Sequence, residues 1–327
     1  MARLRAAGCV FAEDEARMLI SAARTPGELE AMVARRAAGL PLEQVLGWAE
    51  FCGLRIAVDP GVFVPRRRTE FLVQQAVALL ARPPRDESRP TDIIVDMCCG
   101  AGAIGAALAA AADRAEVHAV DIDHAAVRCA RRNVPGHVYR GDLYEPLPGR
   151  LRGRVAILAA NVPYVPSGQI SLLPAEARAH EPLVALDGGA DGLDVLRRVA
   201  AGAPAWLAHG GHLLIETSER QAQQAAAAFA VSGLNPRVVS SAELGATVVI
   251  GQRPRRTVSP MTRASHISPA SLIGREDPGS WEDPGDHGAP NPPGDPDPPR
   301  NPAPGAPRCA QLPPGTHITA RKPRPAP

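Results

Sequence analysis

Asn161, Val162, Pro163 and Tyr164 follow an apolar run, residues 155–160, that reads as a buried strand. The strand thus ends in a side-chain amide, a proline and one of only three tyrosines in 327 residues. These types in this order suit one chemistry. The Asn161 side-chain oxygen and the Val162 carbonyl, aimed by the extended bias that Pro163 imposes on the residue before it, can accept both N–H bonds of a planar NH2 group. Tyr164 offers a flat wall beside it. An amide or aromatic amine nitrogen is a poor nucleophile because its lone pair is delocalised. Two fixed acceptors that polarise and aim it would work through positioning and preorganised electrostatics. No strong base is required, since the proton can leave after group transfer. A strand-ending turn with a core tyrosine would give the same four letters, so the surrounding elements must decide.

The stretch "DIIVDMCCGAGAIGAAL", residues 92–108, reads as strand, tight turn and helix, with Gly100, Gly102 and Gly105 in a GxGxxG match. Glycines allow the turn and let backbone N–H groups approach a ligand at the helix N-terminus. Alone, the match fits NAD-binding and S-adenosylmethionine-binding folds alike. Asp121 closes the second strand, where an acidic residue would hold ribose hydroxyls. Asp96 ends the first strand and fits the D-x-G-x-G-x-G pattern of methyltransferases, with Cys98 in the first Gly place. A carboxylate there can orient the sulfonium cofactor's amino group or brace the loop. Asp142 follows the third strand, where it can accept from an adenine amino group while Leu143 covers the ring. The adjacent Cys98 and Cys99 read as small packing residues in a tight loop.

Positioning these residues takes a regular scaffold. From residue 92 the pattern alternates, with strands near 92–96, 116–121, 137–140, 155–160, 211–216, 236–240 and 247–251 and helices near 103–112, 124–133, 193–207 and 218–231. Such alternation implies a parallel sheet covered on both faces, and the short link 241–246 pairs the last two strands antiparallel. That final pair suits a seven-stranded methyltransferase sheet better than an NAD domain. Ligands bind at the carboxyl ends of such strands, so the fourth strand delivers Asn161 beside the cofactor. Upstream, residues 1–47 read as helical, broken at Pro26-Gly27. Residues 50–64 resemble a hairpin turning at Asp59-Pro60-Gly61. Residues 66–81 read as a helix with Thr69 as N-cap, and the preceding Arg66, Arg67 and Arg68 as a solvated charge run.

The domain expectation is a helical substrate-recognition region (1–47), a hairpin and linking helix (48–90), a cofactor-binding domain (91–251) and a tail (252–327). The tail holds 19 of the 35 prolines, a composition that cannot offset ordering entropy, and is expected to be disordered. Of the net charge of +2, the tail carries +3 and residues 1–251 carry −1. The body lacks the excess that drives nucleic-acid binding, so no nucleic-acid substrate is expected. The six cysteines form no CxxC pair, which argues for reduced cytoplasmic thiols rather than zinc or disulfides. His209 and His212 have no third ligand in view, so no metal is expected. Neither a signal peptide nor a membrane span is expected.

Together these pieces resemble one family, the HemK/PrmC-type protein-glutamine methyltransferases, which modify the Gln of the GGQ motif in peptide-chain release factors. The resemblance runs over about residues 1–251. It is carried by "GLPLEQVLGWAEFCGLRIAVDPGVFVPRRRTEFLV", "DMCCGAGAIG", "AVDID", "GDLYEPL", "NVPY", "EPLVALDGGADGLDVLRRV" and "GGHLLIETSERQ". It implies an α/β class I methyltransferase fold with a Rossmann-like seven-stranded sheet and S-adenosylmethionine as cofactor. It further implies that Cys98, Cys99, Gly100, Ala101, Gly102, Asp121 and Leu143 line the cofactor and that Asn161, Val162, Pro163 and Tyr164 take the substrate amide. A release factor is the implied partner and a monomer the expected state. Three stretches depart from the family pattern: N-V-P-Y stands for N-P-P-Y, Pro65-Arg66-Arg67-Arg68-Thr69 for P-R-P-E-T, and Cys98 and Cys99 for a Gly and a Thr in the cofactor loop. Glu181, Pro182 and the loop 187–194 either border the substrate channel or form a glycine-rich turn capped by Asp191. The rival readings are an adenine- or guanine-amine methyltransferase acting on DNA or RNA, a non-catalytic cofactor-binding protein and an NAD oxidoreductase; the last leaves Asn161 to Tyr164 unexplained.

Overall fold

Four helices, α1 (Ala2–Ala6), α2 (Ala12–Ala22), α3 (Pro26–Ala37) and α4 (Leu42–Leu46), begin the chain. The structure is a computed structural model that describes residues 1–80, 91–112 and 114–255. Leu4, Leu19, Met32 and Val45 give these helices a core of their own. Pro26, which reads as a break, is instead the first residue of α3, where its missing N–H is no loss. Thr25 caps that helix by accepting from the Glu28 N–H at 3.1 Å, and the Glu28 carboxylate accepts from the Arg24 N–H at 2.9 Å.

Strands β1 (Trp48–Phe51) and β2 (Leu54–Ala57) form the hairpin. Its turn is Cys52-Gly53 rather than the expected Asp59-Pro60-Gly61. A two-residue turn with positive φ at both positions, here 50° and 73°, matches the twist of paired strands. Glu70 Oε1 accepts from the Cys52 N–H at 3.0 Å. Asp59 to Val62 still makes a tight turn, closed by Val62 N–H on the Asp59 carbonyl at 3.1 Å, but no strand pairs across it. A 3-10 turn, Arg67–Thr69, then leads into α5 (Glu70–Leu80). Thr69 therefore lies within that turn instead of capping it.

The main sheet follows: β3 (Asp92–Met97), α6 (Ala103–Ala111), β4 (Ala115–Asp121), α7 (His124–Asn133), β5 (His137–Arg140) and β6 (Val155–Ala160). After β6 come α8 (Ala175–His180), α9 (Asp194–Trp206), β7 (Leu207–Thr217), α10 (Ala222–Val231), β8 (Asn235–Ser241) and β9 (Ala246–Gln252). The seven strands lie in the order β5-β4-β3-β6-β7-β9-β8. All neighbours are parallel except β9, which runs antiparallel to both β7 and β8. This is the seven-stranded α/β sheet that the alternation predicts. Its strand order reverses between β3 and β6, and a crevice opens outside the carboxyl ends of strands at such a point.

The inner strands β3, β4, β6, β7 and β9 are buried on both faces. Ile94 of β3 packs with Val117, Leu72 and Leu108, while its neighbours Ile93 and Val95 pack with Leu158, Leu196 and Trp206 on the other side. Strands buried twice read as continuous apolar runs, which is why β3 and β6 are visible in the sequence. Among the described residues no helix is long and apolar enough to cross a membrane. Beyond residue 255 the expected disordered tail, like residues 81–90 of the expected linking segment, lies outside the described residues.

Asn133, the last residue of α7, ties the hairpin to the glycine loop. Its Nδ2 donates to the Ala57 carbonyl at 2.9 Å and the Ala101 carbonyl at 2.8 Å, and its Oδ1 accepts from the Ala57 N–H at 2.9 Å. Replacing Asn133 by Ala takes its partner from the Ala57 N–H and the Ala101 carbonyl, while the Ala57 carbonyl keeps the Cys129 thiol at 3.1 Å. At roughly 1–3 kcal/mol for a group so stranded, Asn133→Ala should lower unfolding stability by about 2 kcal/mol in urea titration.

Candidate active site

The loop after β3 owes its shape to three residues in the left-handed region, Cys98 (φ 56°), Gly100 (φ 54°) and Gly102 (φ 79°). The Gly102 N–H closes it on the Cys99 carbonyl at 2.7 Å. A Cβ on Gly102 would sit 2.5 Å from Val134 Cγ2 and 3.1 Å from the Ala130 Cβ, so α7 packs against this glycine. Cys98 holds a conformation that favours glycine, with a steric cost that glycine would not carry. Burial, first of all, pushes the Cys98 and Cys99 thiols well up, so both remain neutral.

Asp121 organises the loop from the next strand. Its Oδ2 accepts from the Gly100 N–H at 2.8 Å and its Oδ1 from the Asp123 N–H at 2.9 Å. Asp142 pairs with Arg198 at 2.6 Å. Leu143 takes a left-handed turn, φ 49°, and buries its side chain.

These residues and those after β6 line a single cavity of about 690 Å3. Cys98, Cys99, Gly100, Ala101, Asp121, Asp142 and Leu143 border it, and so do Asn161, Val162, Pro163 and Tyr164. Asp96 and Gly102 do not. Asp96 lies fully buried beneath the loop, and its Oδ2 accepts from the Gly105 N–H at 2.8 Å. That bond ties the end of β3 to the first turn of α6. Gly102 serves the turn and the contact with α7.

Asn161 donates from Nδ2 to Thr69 Oγ1 at 3.3 Å, joining the end of β6 to the turn before α5. Tyr164 is tethered twice. Its hydroxyl accepts from the Arg68 guanidinium, which also lies 5.7 Å from the ring centre. Its carbonyl accepts from Gln221 Nε2 at 3.0 Å, and the same nitrogen donates to the Asp191 carbonyl at 3.0 Å. Burial raises the Tyr164 phenol above its ordinary value.

The arginine run corrects the expectation of a solvated charge run. Arg66 pairs with the buried Glu181 and lies over the Phe63 ring; Arg68 pairs with the buried Glu216 at 2.9 Å. Both arginines border the cavity. Buried carboxylates demand counter-charges, and the two arginines supply them. Burial raises the Glu181 carboxyl, and the Arg66 charge opposes that rise.

The loop 187–194 is a packing surface for the turn after β6. A Cβ on Gly188 would fall 2.7 Å from the Pro163 carbonyl, and one on Gly192 2.3 Å from the Tyr164 carbonyl. The glycines are required by this backbone approach. Asp191 accepts from the Leu193 N–H at 3.1 Å beside the start of α9, while Glu181 and Pro182 border the cavity. Asn133 and Gln221 are residues that sequence reasoning passed over, and Thr69 is one that it read only as a helix cap. The partners named above lie 30 to 92 positions away, beyond any local pattern.

Two carboxylates after successive strands, a buried Leu143 and a glycine loop on one wall fit a nucleoside-bearing cofactor. Carboxylates so placed can accept from hydroxyl and amino donors, and a side chain such as Leu143 can cover a ring. The other wall offers the Asn161 amide and the Tyr164 ring. A family model described as "Methyltransferase small domain" matches residues 53–163. The "Release factor glutamine methyltransferase" of Geobacter sulfurreducens is 36% identical over 236 residues, covering 70% of this chain and 79% of that protein. The "4-amino-L-phenylalanine/4-methylamino-L-phenylalanine methyltransferase" of Streptomyces pristinaespiralis is also 36% identical, over 205 residues that cover 62% of this chain and 69% of that protein. A solved protein-(glutamine-N5) methyltransferase (release factor-specific) from Alicyclobacillus acidocaldarius is 26% identical, with a TM-score of 0.36, over 60% of this chain and 98% of that one.

Burial pushes the Asp96 carboxyl up from 3.8 to about 8, against the lowering effect of the Gly105 N–H. A native state that keeps this proton gains relative to the unfolded chain at low pH. That contribution is whole below 3.8 and is lost as pH rises through about 8. In the cofactor-free protein, Asp96→Asn should therefore flatten the fall of stability over this window, measured by urea unfolding at a series of pH values.

Proposed function

The chain belongs to the release factor glutamine methyltransferase family, and from that premise we propose that its acceptor is the side-chain amide of a glutamine in a peptide-chain release factor. It is an S-adenosylmethionine-dependent methyltransferase acting on protein glutamine. The observation that carries the reading is the shared cavity, with the Asn161 turn and the glycine loop on its walls.

S-adenosylmethionine, when bound, supplies an electrophilic methyl group on its sulfonium sulfur. Cys98 to Gly102 shape the loop that would hold it, Asp121 takes its ribose hydroxyls, and Asp142 and Leu143 take the adenine. Asn161 Oδ1 and the Val162 carbonyl accept the two N–H bonds of the acceptor amide. Their pull keeps electron density on the nitrogen and fixes its approach. Pro163 holds Val162 extended. Tyr164, clamped by Arg68 and Gln221, forms the wall against the planar amide. After transfer one proton passes from the acceptor nitrogen to water, since a methylated amide cation is a far stronger acid than hydronium. The N-terminal helices present the partner protein, and the enzyme works as a cytoplasmic monomer.

A second acceptor class has an observation in its favour. The Streptomyces pristinaespiralis protein has the same 36% identity as the Geobacter one, over 205 residues against 236, and its name specifies an aromatic amine on a free amino acid. The same two acceptors would grip an arylamine NH2.

Labelled-methyl transfer should be run onto purified release factor, onto total cell protein with and without nuclease, and onto 4-aminophenylalanine. The expected acceptor is protein, with label on glutamine and resistant to nuclease. Label only on the free amino acid would replace the protein reading, and label lost with nuclease would replace it with a nucleic-acid one. Asn161→Ala should reduce transfer by about 100-fold, the scale seen when one preorganised group at a reacting centre is removed, while cofactor still binds in calorimetry. Undiminished turnover would refute the role of Asn161.

A further inference from the structure

Thr69 is 3% exposed and ends the turn Arg67–Thr69. Its hydroxyl oxygen accepts from Asn161 Nδ2 at 3.3 Å, and both residues border the cavity. The turn is pinned on either side. Arg66 is held by Glu181 and Arg68 by Glu216, whose side chains are only 2% and 3% exposed. Thr69 thus has little freedom to follow a rotating partner.

A primary carboxamide has a donor end and an acceptor end. Its last torsion is broad and two-fold, so an untethered amide samples both orientations. The wrong one would turn an NH2 toward the NH2 of the acceptor, donor against donor. With Nδ2 engaged by Thr69, Oδ1 is the end left for substrate. We propose that Thr69 is a positioning residue for methyl transfer: its hydroxyl fixes the Asn161 carboxamide with Oδ1 toward the acceptor nitrogen. This rests on the proposed role of Asn161. Thr69 touches neither cofactor nor reacting atoms in this scheme and acts through its partner alone.

The test compares Thr69→Val, which keeps the shape and removes the hydroxyl, with Thr69→Ser, which restores it, and with Asn161→Ala. Steady-state kinetics use purified release factor; 15N-labelled asparagine reports the Asn161 side-chain amide directly, without any acceptor. Thr69→Val should lower kcat about tenfold, the worth of one well-made hydrogen bond. KM and cofactor affinity should stay within about twofold, and the Asn161 NH2 protons should exchange faster with solvent. Thr69→Ser should recover both kcat and slow exchange. An unchanged kcat and exchange rate in Thr69→Val would overturn the proposal. So would a Thr69→Ser variant as impaired as Thr69→Val, because that marks a packing role. Should Thr69→Val fail to fold, Thr69→Ala carries the same comparison. If Asn161→Ala turns over normally, the reading of Asn161 fails first. If Asn161→Ala is inactive and Thr69→Val is not, only the present inference fails.

Discussion

Two stretches of backbone approach each other so closely at the end of β6 that no side chain fits between them. The Pro163 and Tyr164 carbonyls face Gly188 and Gly192 at distances a Cβ would violate. The rest of the site depends on this contact. It sets the path of the chain after Ala160, and therefore where Asn161 and Tyr164 stand relative to the loop after β3. Gln221 locks the contact by donating to both stretches from a single nitrogen. The wall opposite the glycine loop is thus built from hydrogen bonds and glycines more than from bulky side chains.

Charge enters the site in an equally constrained way. Glu181 and Glu216 are buried and would be costly if unpaired. Arg66 and Arg68 answer them from one short turn, so the same turn that neutralises two core carboxylates also delivers Thr69 to Asn161. A run of three arginines with a negative partner for each of the outer two is a scaffold. Arg67 is exposed and conforms to the ordinary view of a charge run, whereas Arg68, exposed as well, reaches back to a buried carboxylate.

Much of this was legible in the sequence. All seven strands of the sheet fall where the alternation places them; the inner five, β3, β4, β6, β7 and β9, are covered on both faces and carry a nearly unbroken apolar signal. The Asn-Val-Pro-Tyr turn was legible too, because a proline and a scarce aromatic end an apolar run. Other features were hidden for definite reasons. The hairpin turned at Cys52-Gly53 because a cysteine in the left-handed region has no sequence signature, whereas Asp59-Pro60-Gly61 advertises a turn strongly. Pro26 looked like a break because a proline that starts a helix and one that stops it share the same letter. The links Asn161 to Thr69 and Asn133 to Ala57 join positions 92 and 76 residues apart. Nothing in local periodicity encodes a side chain whose partner is a distant hydroxyl or carbonyl.

The order β7-β9-β8 has a consequence for how the molecule is made. The strand seated between its two neighbours is the last of the three to be synthesised. Until residues 246–252 are made, β7 and β8 each lack the neighbour that fills the edge between them, and bare edges invite pairing with other chains. The sheet is closed on that side only when the apolar strand "ATVVIGQ" is in place between the two edges.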